Sequence, residues 1–257
     1  MDDKIKVFIS IVSHKQEELI IKNFKNLDLE NKRYIIKICI TDNTNSIKLK
    51  KFANEKKHIY FLNNKIKGFG ENHNNAFKVT NANDNDLFIV CNPDIILEKE
   101  QLIGMLDYFI EKNFEIGNVS CYYNKEKTIL SNPDRYFPCF FNFLFSLLLG
   151  KRFHYGTNTN VNNPQWISGE FMITKASAYK KVNGFDEKYF LYVEDIDFCY
   201  RAKKANIKIS HNKNHYIIHE TQMASRNIFS KNFIMHFISV FRFLKNHKIL
   251  CFIKKAP

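Results

Sequence analysis

Short apolar runs rich in β-branched residues alternate with segments of helical spacing in the first part of the chain. The runs cover Lys6 to Val12, Tyr34 to Thr41, Ile59 to Leu62 and Leu87 to Cys91. Between the first two runs, Leu19, Ile20 and Phe24 recur at the spacing of one helix face. Strands that alternate with helices predict an α/β protein with a Rossmann-like, mostly parallel central sheet flanked by helices.

Polar residues follow each of these predicted strands. They are Ser13 and His14, then Asp42 and Asn43, then Asn63 and Asn64, then Asn92, Pro93 and Asp94. In open sheets of this kind, ligands bind at the carboxyl ends of the strands. We therefore expect a ligand site at this edge of the sheet.

The second half of the chain predicts further elements. They are a helix over Leu102 to Ile110, strands over Gly117 to Tyr123, Gly169 to Thr174 and Tyr216 to Ile218, and a helix over Lys175 to Val182. The aromatic run from Tyr136 to Leu149 is shorter than the roughly 20 residues of a membrane span, so it predicts a core or interfacial segment. No internal repeat or linker-like stretch divides the chain.

Acidic residues are absent after Glu220, where Lys and Arg alternate with Phe, Ile and Leu. This composition predicts a basic amphipathic helical segment over residues 221–257, attached to one catalytic domain over residues 1–220. Two interpretations stay open. Either the segment holds the protein on an anionic membrane surface, or its aromatic residues cover the domain's own core. In the second case the apolar run 136–149 would be the membrane contact or a dimer surface.

The composition excludes several classes of protein. Hydrophobic residues at 45% and charged residues at 25% are ordinary globular values, which excludes wholesale disorder and a multispanning membrane protein. The net charge of +13 is scattered and accompanies no recognition motif, so nucleic acid is not an expected partner. Six widely spaced cysteines without a CxxC pair, and no secretory signal, predict reduced thiols in a cytosolic protein.

Asn92, Pro93 and Asp94 present an oxygen-bearing side chain directly after a strand. A carboxylate there is suited to Mg²⁺ or Mn²⁺, which bind through one or two carboxylates together with substrate phosphates. By themselves the three residues favour a simple turn, because they are excellent turn formers. Most lone histidines are structural, so His219 is a candidate site residue only because the chain also has this candidate metal carboxylate.

Gly68 and Gly70 precede a predicted helix start. Two glycines at such a position let the backbone approach a phosphate closely and aim free N–H groups at it. A helix-capping loop explains the same pattern equally well.

The densest group of carboxylates is Glu194, Asp195 and Asp197, which lie among aromatic and aliphatic residues. Mutual repulsion and partial burial should raise at least one pKa into the range of a general base. The N-terminus of a helix also favours acidic residues, and Arg201 would then pair with Asp197. We assign the structural role to Asp197 and the functional role to Glu194 and Asp195.

In order and spacing, these pieces resemble the inverting family 2 glycosyltransferases of GT-A fold. The matched segments are Val12-Ser13-His14, Thr41-Asp42-Asn43, Gly68-Phe69-Gly70 with Asn74, Asn92-Pro93-Asp94, Trp166 to Gly169, Gly184-Phe185-Asp186, Tyr189 to Arg201 and Ile218-His219. The block from Tyr189 to Arg201 is highly specific for the family. The resemblance is closest to bacterial rhamnosyltransferases of O-antigen assembly, and it implies a nucleotide-binding half over about residues 1–100 and an acceptor half over about 101–220.

The resemblance also implies a role for each matched position. Ser13, His14, Asp42, Gly68, Gly70, Asn74 and Asn92 would bind the nucleotide-sugar donor, and Trp166, Ser168 and Gly169 would lie toward the acceptor. Asp94 and His219 would hold Mg²⁺ or Mn²⁺. Asp195 would be the catalytic base, paired with Glu194, and Asp42 would hydrogen-bond the pyrimidine. Asn92 stands at the first position of the family's Asp-x-Asp metal motif, which leaves fewer carboxylates for the metal.

The implied reaction moves L-rhamnose from dTDP-L-rhamnose to a polyprenol-diphosphate-linked GlcNAc, with inversion to an α-rhamnoside. Such an acceptor would hold the enzyme on the inner face of the cytoplasmic membrane, as a monomer or a homodimer. UDP-GlcNAc, UDP-galactose and UDP-galactofuranose remain alternative donors, because no residue excludes them. A catalytically inactive sugar-binding module is a further alternative, although such a chain would be expected to lose the Glu194-Asp195 pair.

Overall fold

A computed structural model describes residues 4–27, 29–142, 155–156, 158, 161–219 and 231–249. The strands are β1 Ile5–Ser13, β2 Leu29–Glu30, β3 Tyr34–Asp42, β4 Ile59–Leu62, β5 Leu87–Cys91, β6 Ile95–Ile96, β7 Ile116–Tyr122, β8 Phe171–Lys175 and β9 Ile209–His219. The helices are α1 Glu17–Phe24, α2 Ile47–Glu55, α3 Phe69–Thr80, α4 Lys99–Glu111, α5 Ala176–Val182, α6 Glu194–Lys204 and α7 Lys231–His247.

These strands form a single sheet in the order β2-β3-β1-β5-β8-β7-β9-β6, with β4 on β3. β3 and β5 flank β1 in parallel, and β4 is parallel to β3. β8 joins this half to the parallel pair β7 and β9 through antiparallel ladders. The predicted α/β fold with a Rossmann-like parallel half is thus confirmed.

Helices cover the sheet on both faces. Val7 and Ile9 of β1 pack in a core with buried residues of α1, α2 and α4. Phe8, which lies between them, packs in a second core with residues of α5 and α6. Because both faces are buried, the central strands are nearly continuous apolar runs, which is why the sequence predicts them well.

β9 is much longer than the predicted strand Tyr216 to Ile218. The prediction missed the first half of the strand, which is polar. Ser210, His211 and Asn212 lie in this half and are buried, and a bulge between Val119 and Ser120 shifts the register of β7 against it. Polar and apolar residues do not alternate in this half of β9, so its sequence does not predict a strand. The remaining predicted strands and helices agree with the structure to within a few residues.

α7 confirms a helix within the basic C-terminal segment. Its residues Val240 and Phe243 are 5% and 0% exposed, so one face packs on the domain. Among the residues that the structure describes, no helix is long and apolar enough to cross a membrane. The part of the aromatic run after Asn142, and Cys251, lie outside the described residues. The described cysteines are all buried, unbridged thiols.

Candidate active site

The carboxyl ends of three adjacent strands bring the predicted donor residues to one edge of the sheet. Ser13 of β1 lies opposite Asp42 of β3. On the other side of β1, Ile11 lies opposite Cys91, the residue before Asn92. Ser13 is fully buried, and its hydroxyl has no hydrogen-bond partner within the described chain. This edge therefore contains a buried hydroxyl group without an internal partner, and its contact with the nucleoside stays a prediction.

Asp42 is fully buried, and its carboxylate shapes the loop after β3. One oxygen accepts hydrogen bonds from the backbone N–H of Thr44 at 2.7 Å and from its hydroxyl at 3.0 Å. The other accepts from the Ser46 N–H at 2.7 Å and from the Tyr60 hydroxyl at 3.0 Å. All four contacts are internal. The hydrogen bond from Asp42 to a pyrimidine therefore stays a prediction, as does donor binding by His14, which is exposed at the end of β1.

Gly68 and Gly70 permit a close approach, but the partner is a loop of this chain. A Cβ atom on Gly68 would lie 2.7 Å from the carbonyl oxygen of Phe190, and one on Gly70 would lie 2.6 Å from the Cβ of Phe185. The Phe69 N–H donates to the same Phe190 oxygen at 2.9 Å. The two glycines therefore let the start of α3 pack against the loop that leads to α6. Their contact with a donor phosphate stays a prediction.

Asn74 holds the same loop from within α3. Its Oδ1 accepts hydrogen bonds from the Tyr179 hydroxyl at 2.8 Å and from the Phe185 N–H at 2.9 Å. Its Nδ2 donates to the Phe185 carbonyl at 2.9 Å and to Glu187 at 3.0 Å. The amide is saturated by internal contacts, so Asn74 has a clear structural role beside its predicted donor contact.

Asp94 and His219 meet although they are far apart in sequence. β6 pairs with β9 so that Ile95 lies opposite His219, which brings the neighbouring Asp94 to the imidazole ring. Asp94 Oδ1 lies 2.9 Å from His219 Nε2. On the opposite side of the ring, Glu170 Oε2 lies 3.1 Å from Nδ1. The turn after β5 is thus tied to the end of the sheet's longest strand.

This arrangement fits a divalent cation. Two ligands of an octahedral ion at about 2.1 Å from it lie about 3 Å apart, which is close to the observed separation of Asp94 Oδ1 and His219 Nε2. Glu170 on Nδ1 would leave Nε2 free as the ligand atom, the usual carboxylate–histidine–metal arrangement. Cys121, Glu170 and His219 also form a group whose potential ligand atoms lie within 4.8 Å of one another. The Asn92 N–H donates to the Glu170 carbonyl at 2.9 Å and so ties this turn to Glu170.

The charges in this cluster compensate one another. Burial alone would lower the pKa of His219, but hydrogen bonds to Asp94, Cys121 and Glu170 raise it to about 12. Burial would raise the pKa of Glu170, but His219 and Arg135 lower it below its usual value. A divalent cation at Nε2 would therefore compete with a proton for the same position between carboxylates.

Glu194 and Asp195 open α6 after an unusual turn. Tyr192 and Val193, which precede them, both have a φ of 69°. This left-handed conformation is costly for a β-branched residue such as Val193, and strain of this kind concentrates at functional sites. Asp195 Oδ2 accepts a hydrogen bond from the Gly169 N–H at 3.0 Å, and Oδ1 accepts from the Ile196 N–H at 2.8 Å. The turn and these two donors fix the orientation of the Asp195 carboxylate.

The two carboxylates lie in different environments. Glu194 is 6% exposed, and its Oε2 has no hydrogen-bond partner within the described chain. Burial, and then the charge of Asp195, raise the pKa of Glu194 to about 8. Burial also raises the pKa of Asp195, but the N–H groups of Gly169 and Ile196 oppose this increase. Burial thus favours the protonated form of both carboxylates, and the Gly169 and Ile196 N–H groups favour the ionised form of Asp195.

Gly169 and Glu170 connect Asp195 to the Asp94–His219 pair. The Gly169 N–H donates to Asp195, while the Glu170 side chain contacts His219. A Cβ on Gly169 would lie 3.2 Å from the ring of Phe69, so a larger residue would push against α3. Adjacent residues thus hold the predicted base, Asp195, and the candidate cation site in one cluster.

Trp166 is a buried support. The ring is 5% exposed. Its Nε1 donates to the Tyr136 carbonyl at 2.9 Å, and the Arg135 guanidinium lies 4.7 Å from the ring centroid. Ser168, the other residue expected to lie toward the acceptor, accepts a long hydrogen bond of 3.4 Å from the Glu170 N–H. A direct acceptor contact by these two residues stays a prediction, and the Trp166 ring is not available as an open stacking surface.

Sequence reasoning missed three residues of this cluster, Glu170, Arg135 and Cys121. Glu170 had a usable signal, since it is an acidic residue between Gly169 and an apolar strand. Arg135 is 5% exposed, lies 3.9 Å from Glu170 Oε1 and had no local signal. The structural assignment of Asp197 is confirmed, because Arg201 Nε lies 2.7 Å from its carboxylate.

Comparison with known proteins identifies the class. Residues 152–225 match the family model described as the N-terminal domain of galactosyltransferase. A solved mannosyltransferase, PcManGT from Pyrobaculum calidifontis in complex with GDP-Man and Mn²⁺, superposes with a TM-score of 0.63 at 11% identity. That alignment covers 100% of this chain and 67% of the other. The superposition shows that this chain has the fold of the GT-A glycosyltransferases.

Two curated relatives narrow the class. The rhamnosyltransferase WbbL of Escherichia coli (strain K12) is 32% identical over 255 residues, 95% of this chain and 94% of WbbL. An N-acetylglucosaminyl-diphospho-decaprenol L-rhamnosyltransferase of Mycobacterium tuberculosis (strain ATCC 25618 / H37Rv) is 48% identical over 40 residues, 16% of this chain and 13% of that protein. The chain belongs to the rhamnosyltransferase family that includes WbbL.

Proposed function

We propose that this enzyme transfers L-rhamnose from dTDP-L-rhamnose to a polyprenol-diphosphate-linked GlcNAc in the synthesis of a bacterial surface polysaccharide such as O-antigen. Family membership supports the sugar, and the name of the mycobacterial relative supports a lipid diphosphate acceptor. The observation that carries the proposal is the Asp195 carboxylate, fixed by Gly169, one residue from the Glu170–His219–Asp94 chain.

Asp195 would act as the general base. It takes the proton of the acceptor hydroxyl as that oxygen forms a bond to the anomeric carbon of rhamnose. The bond from that carbon to the donor diphosphate breaks, and dTDP leaves with the electron pair. A single displacement inverts the anomeric centre, so a β-linked donor sugar becomes an α-rhamnoside.

Glu194 would keep the reacting group ionised. Because its pKa is raised to about 8, it holds a proton that would otherwise be shared with Asp195. Positioned general bases contribute roughly 10² to 10⁴ in rate. The strained turn at Tyr192 and Val193 keeps Asp195 in place for this step.

Asp94 and His219 would hold Mn²⁺ or Mg²⁺ when donor is bound. The cation would supply positive charge to the departing diphosphate. Asn92 cannot add a carboxylate, whereas Glu170 orients His219 from the other side of the ring. Glu170 would thus supply a carboxylate near the cation, whereas Asn92 stands in place of the first Asp of the Asp-x-Asp motif.

A donor panel tests the sugar nucleotide. Thermal midpoints would be measured with dTDP-L-rhamnose, UDP-GlcNAc, UDP-galactose and UDP-galactofuranose, each with Mn²⁺ and with EDTA. A ligand at 100 times its Kd stabilises the folded state by about 2.7 kcal/mol, so a specific donor gives a clear shift. We expect the largest shift with dTDP-L-rhamnose and Mn²⁺. A larger shift with a UDP-sugar would move the proposal to the alternative donor, and equal shifts in EDTA would remove the metal from it.

A further inference from the structure

α7 holds the loop that carries the base. The Ser239 hydroxyl donates to the carbonyl of Leu191 at 2.9 Å, one residue before the strained turn. At the other end of the helix, His247 Nε2 lies 2.7 Å from Asp197 Oδ1. Between these contacts, Phe243 is fully buried. The inner face of α7 is therefore part of the catalytic domain, which agrees with the second interpretation of the basic segment.

The opposite face of the same helix is apolar and exposed. It consists of Ile234, Phe237, Ile238 and Phe241, which are 56%, 59%, 53% and 61% exposed. Their spacing of three, four and seven residues aligns them in one stripe along the helix. A contiguous exposed apolar patch on a protein marks an interaction site. We call these four residues the outer stripe of α7.

Lysines continue the outer stripe toward the end of the helix. Lys245 follows Phe241 by four residues, Lys248 is the first residue after the helix, and both are exposed. No Asp or Glu occurs anywhere after Glu220. An apolar stripe extended by cations and free of acids matches a bilayer with anionic headgroups, where apolar side chains enter the acyl boundary and lysines remain at the phosphates.

Charge also disfavours a second copy of the chain as the occupant. Each chain carries a formal net charge of +13, so two copies that bring their basic segments together repel one another. An anionic membrane gains from the same charge. The lipid surface is therefore the occupant that both the stripe and the charge support.

We propose that the outer stripe of α7 docks on an anionic lipid bilayer while the inner face holds the loop that leads to Asp195. The helix that anchors the enzyme would thus also position Asp195 relative to the membrane. The link to a lipid-borne acceptor rests on the proposed function, but lipid docking itself does not. Binding to vesicles is measured without donor or acceptor, so the two proposals can fail separately.

Co-sedimentation of the full chain with vesicles tests the docking. The vesicles are pure phosphatidylcholine, or phosphatidylcholine with phosphatidylglycerol, each at low and high salt. We expect binding to the anionic vesicles that weakens with salt, because exposed charges are screened. The double variant Phe237→Ser/Phe241→Ser should lower the partition coefficient at least about tenfold. Ile47→Ser is the matched control, since Ile47 is 85% exposed on α2, and it should bind as the wild type does.

A second variant keeps the test decisive if the first does not fold. Lys245→Gln/Lys248→Gln retains the stripe and should lower anionic binding about tenfold or more, since each lysine at such a surface contributes substantially. Binding that neither double variant changes would overturn the proposal. A wild-type dimer in light scattering that the Phe237→Ser/Phe241→Ser variant converts to a monomer would overturn it in favour of a dimer interface.

Discussion

At the scale of single residues, the division of labour between Glu194 and Asp195 depends on their hydrogen-bond partners. Asp195 accepts two backbone N–H groups, whereas one oxygen of the buried Glu194 has none within the described chain. Two adjacent acidic residues in sequence look equivalent. Only the fold shows that two backbone N–H groups favour the ionised form of Asp195, whereas burial favours the protonated form of Glu194.

The Asp195→Asn variant should lose turnover and keep the fold. The amide has nearly the same shape but cannot take a proton, so we expect kcat to fall by roughly 10² to 10⁴. Donor binding should change little, since Asp195 contacts backbone groups of the chain. Transfer assays together with donor thermal shifts measure both effects. Near-normal transfer would move the role of base to Glu194.

The Glu194→Gln variant should change how stability depends on pH. The pKa of Glu194 rises from 4.5 to about 8 in the folded protein, so the folded state binds the extra proton between these values. Its contribution is fully present below pH 4.5 and is lost as pH rises toward 8. Urea unfolding between pH 5 and 8 should show a flatter profile for the variant than for the wild type. Parallel profiles would mean that Glu194 is ionised throughout.

Glu170→Gln tests the orientation of His219. The amide retains the size of the side chain but removes the carboxylate charge next to His219 Nδ1. Such changes typically cost 10- to 100-fold in metal affinity. Titration of the protein with Mn²⁺, followed by the electron paramagnetic resonance of the free ion, measures this without any turnover. Glu18→Gln is the control, because Glu18 is an exposed carboxylate on α1. Unchanged Mn²⁺ affinity in Glu170→Gln would exclude Glu170 from the cation site.

At the scale of elements, the glycines before α3 and the loop before α6 form one packed unit. Gly68 meets backbone atoms of Phe190, which cannot rotate away. Asn74 fixes the other end of this contact by hydrogen bonds with the backbone carbonyl and N–H of Phe185. The loop that leads to Asp195 is thus held by α3 on one side and by Ser239 of α7 on the other.

Gly68→Ala should therefore destabilise the protein, because its Cβ would collide with a backbone oxygen. Overpacking of this kind typically costs about 1–3 kcal/mol. Gly104→Ala on α4 is the matched control, since its Cβ would meet only the side chain of His215, which can move. Urea unfolding of the two variants measures the difference. Equal stability of Gly68→Ala and the wild type would mean that the loop yields at this contact.

Sequence reasoning predicted best the strands whose residues are apolar on both faces of the sheet. β1, β3 and β5 are buried on both faces and are recognisable as runs. The polar half of β9 was missed, because buried Ser210, His211 and Asn212 resemble a loop in sequence. The meeting of Asp94 and His219 was predicted from the family resemblance. Glu170 was not predicted: its position after Gly169 offered a signal, but its contact with His219 depends on how β8 is placed within the sheet.

At the scale of the whole molecule, the described residues combine the predicted donor edge, the proposed base and a two-faced helix in one chain. Ser13 and Asp42 lie at the predicted donor edge, at the carboxyl ends of β1 and β3. The Gly169–Glu170 pair connects Asp195 to the candidate cation site. α7 then closes over the base loop with its inner face and exposes the outer stripe.

The configuration of the product tests the central claim most directly. The full-length enzyme would be incubated with dTDP-β-L-rhamnose, a short-chain lipid diphosphate of GlcNAc and Mn²⁺, and the one-bond carbon–hydrogen coupling at the rhamnose anomeric centre would be measured by NMR. We predict a single α-L-rhamnoside, formed by direct displacement with Asp195 as base. A β-linked product, or transfer of a different sugar in a mixed-donor reaction, would contradict the account.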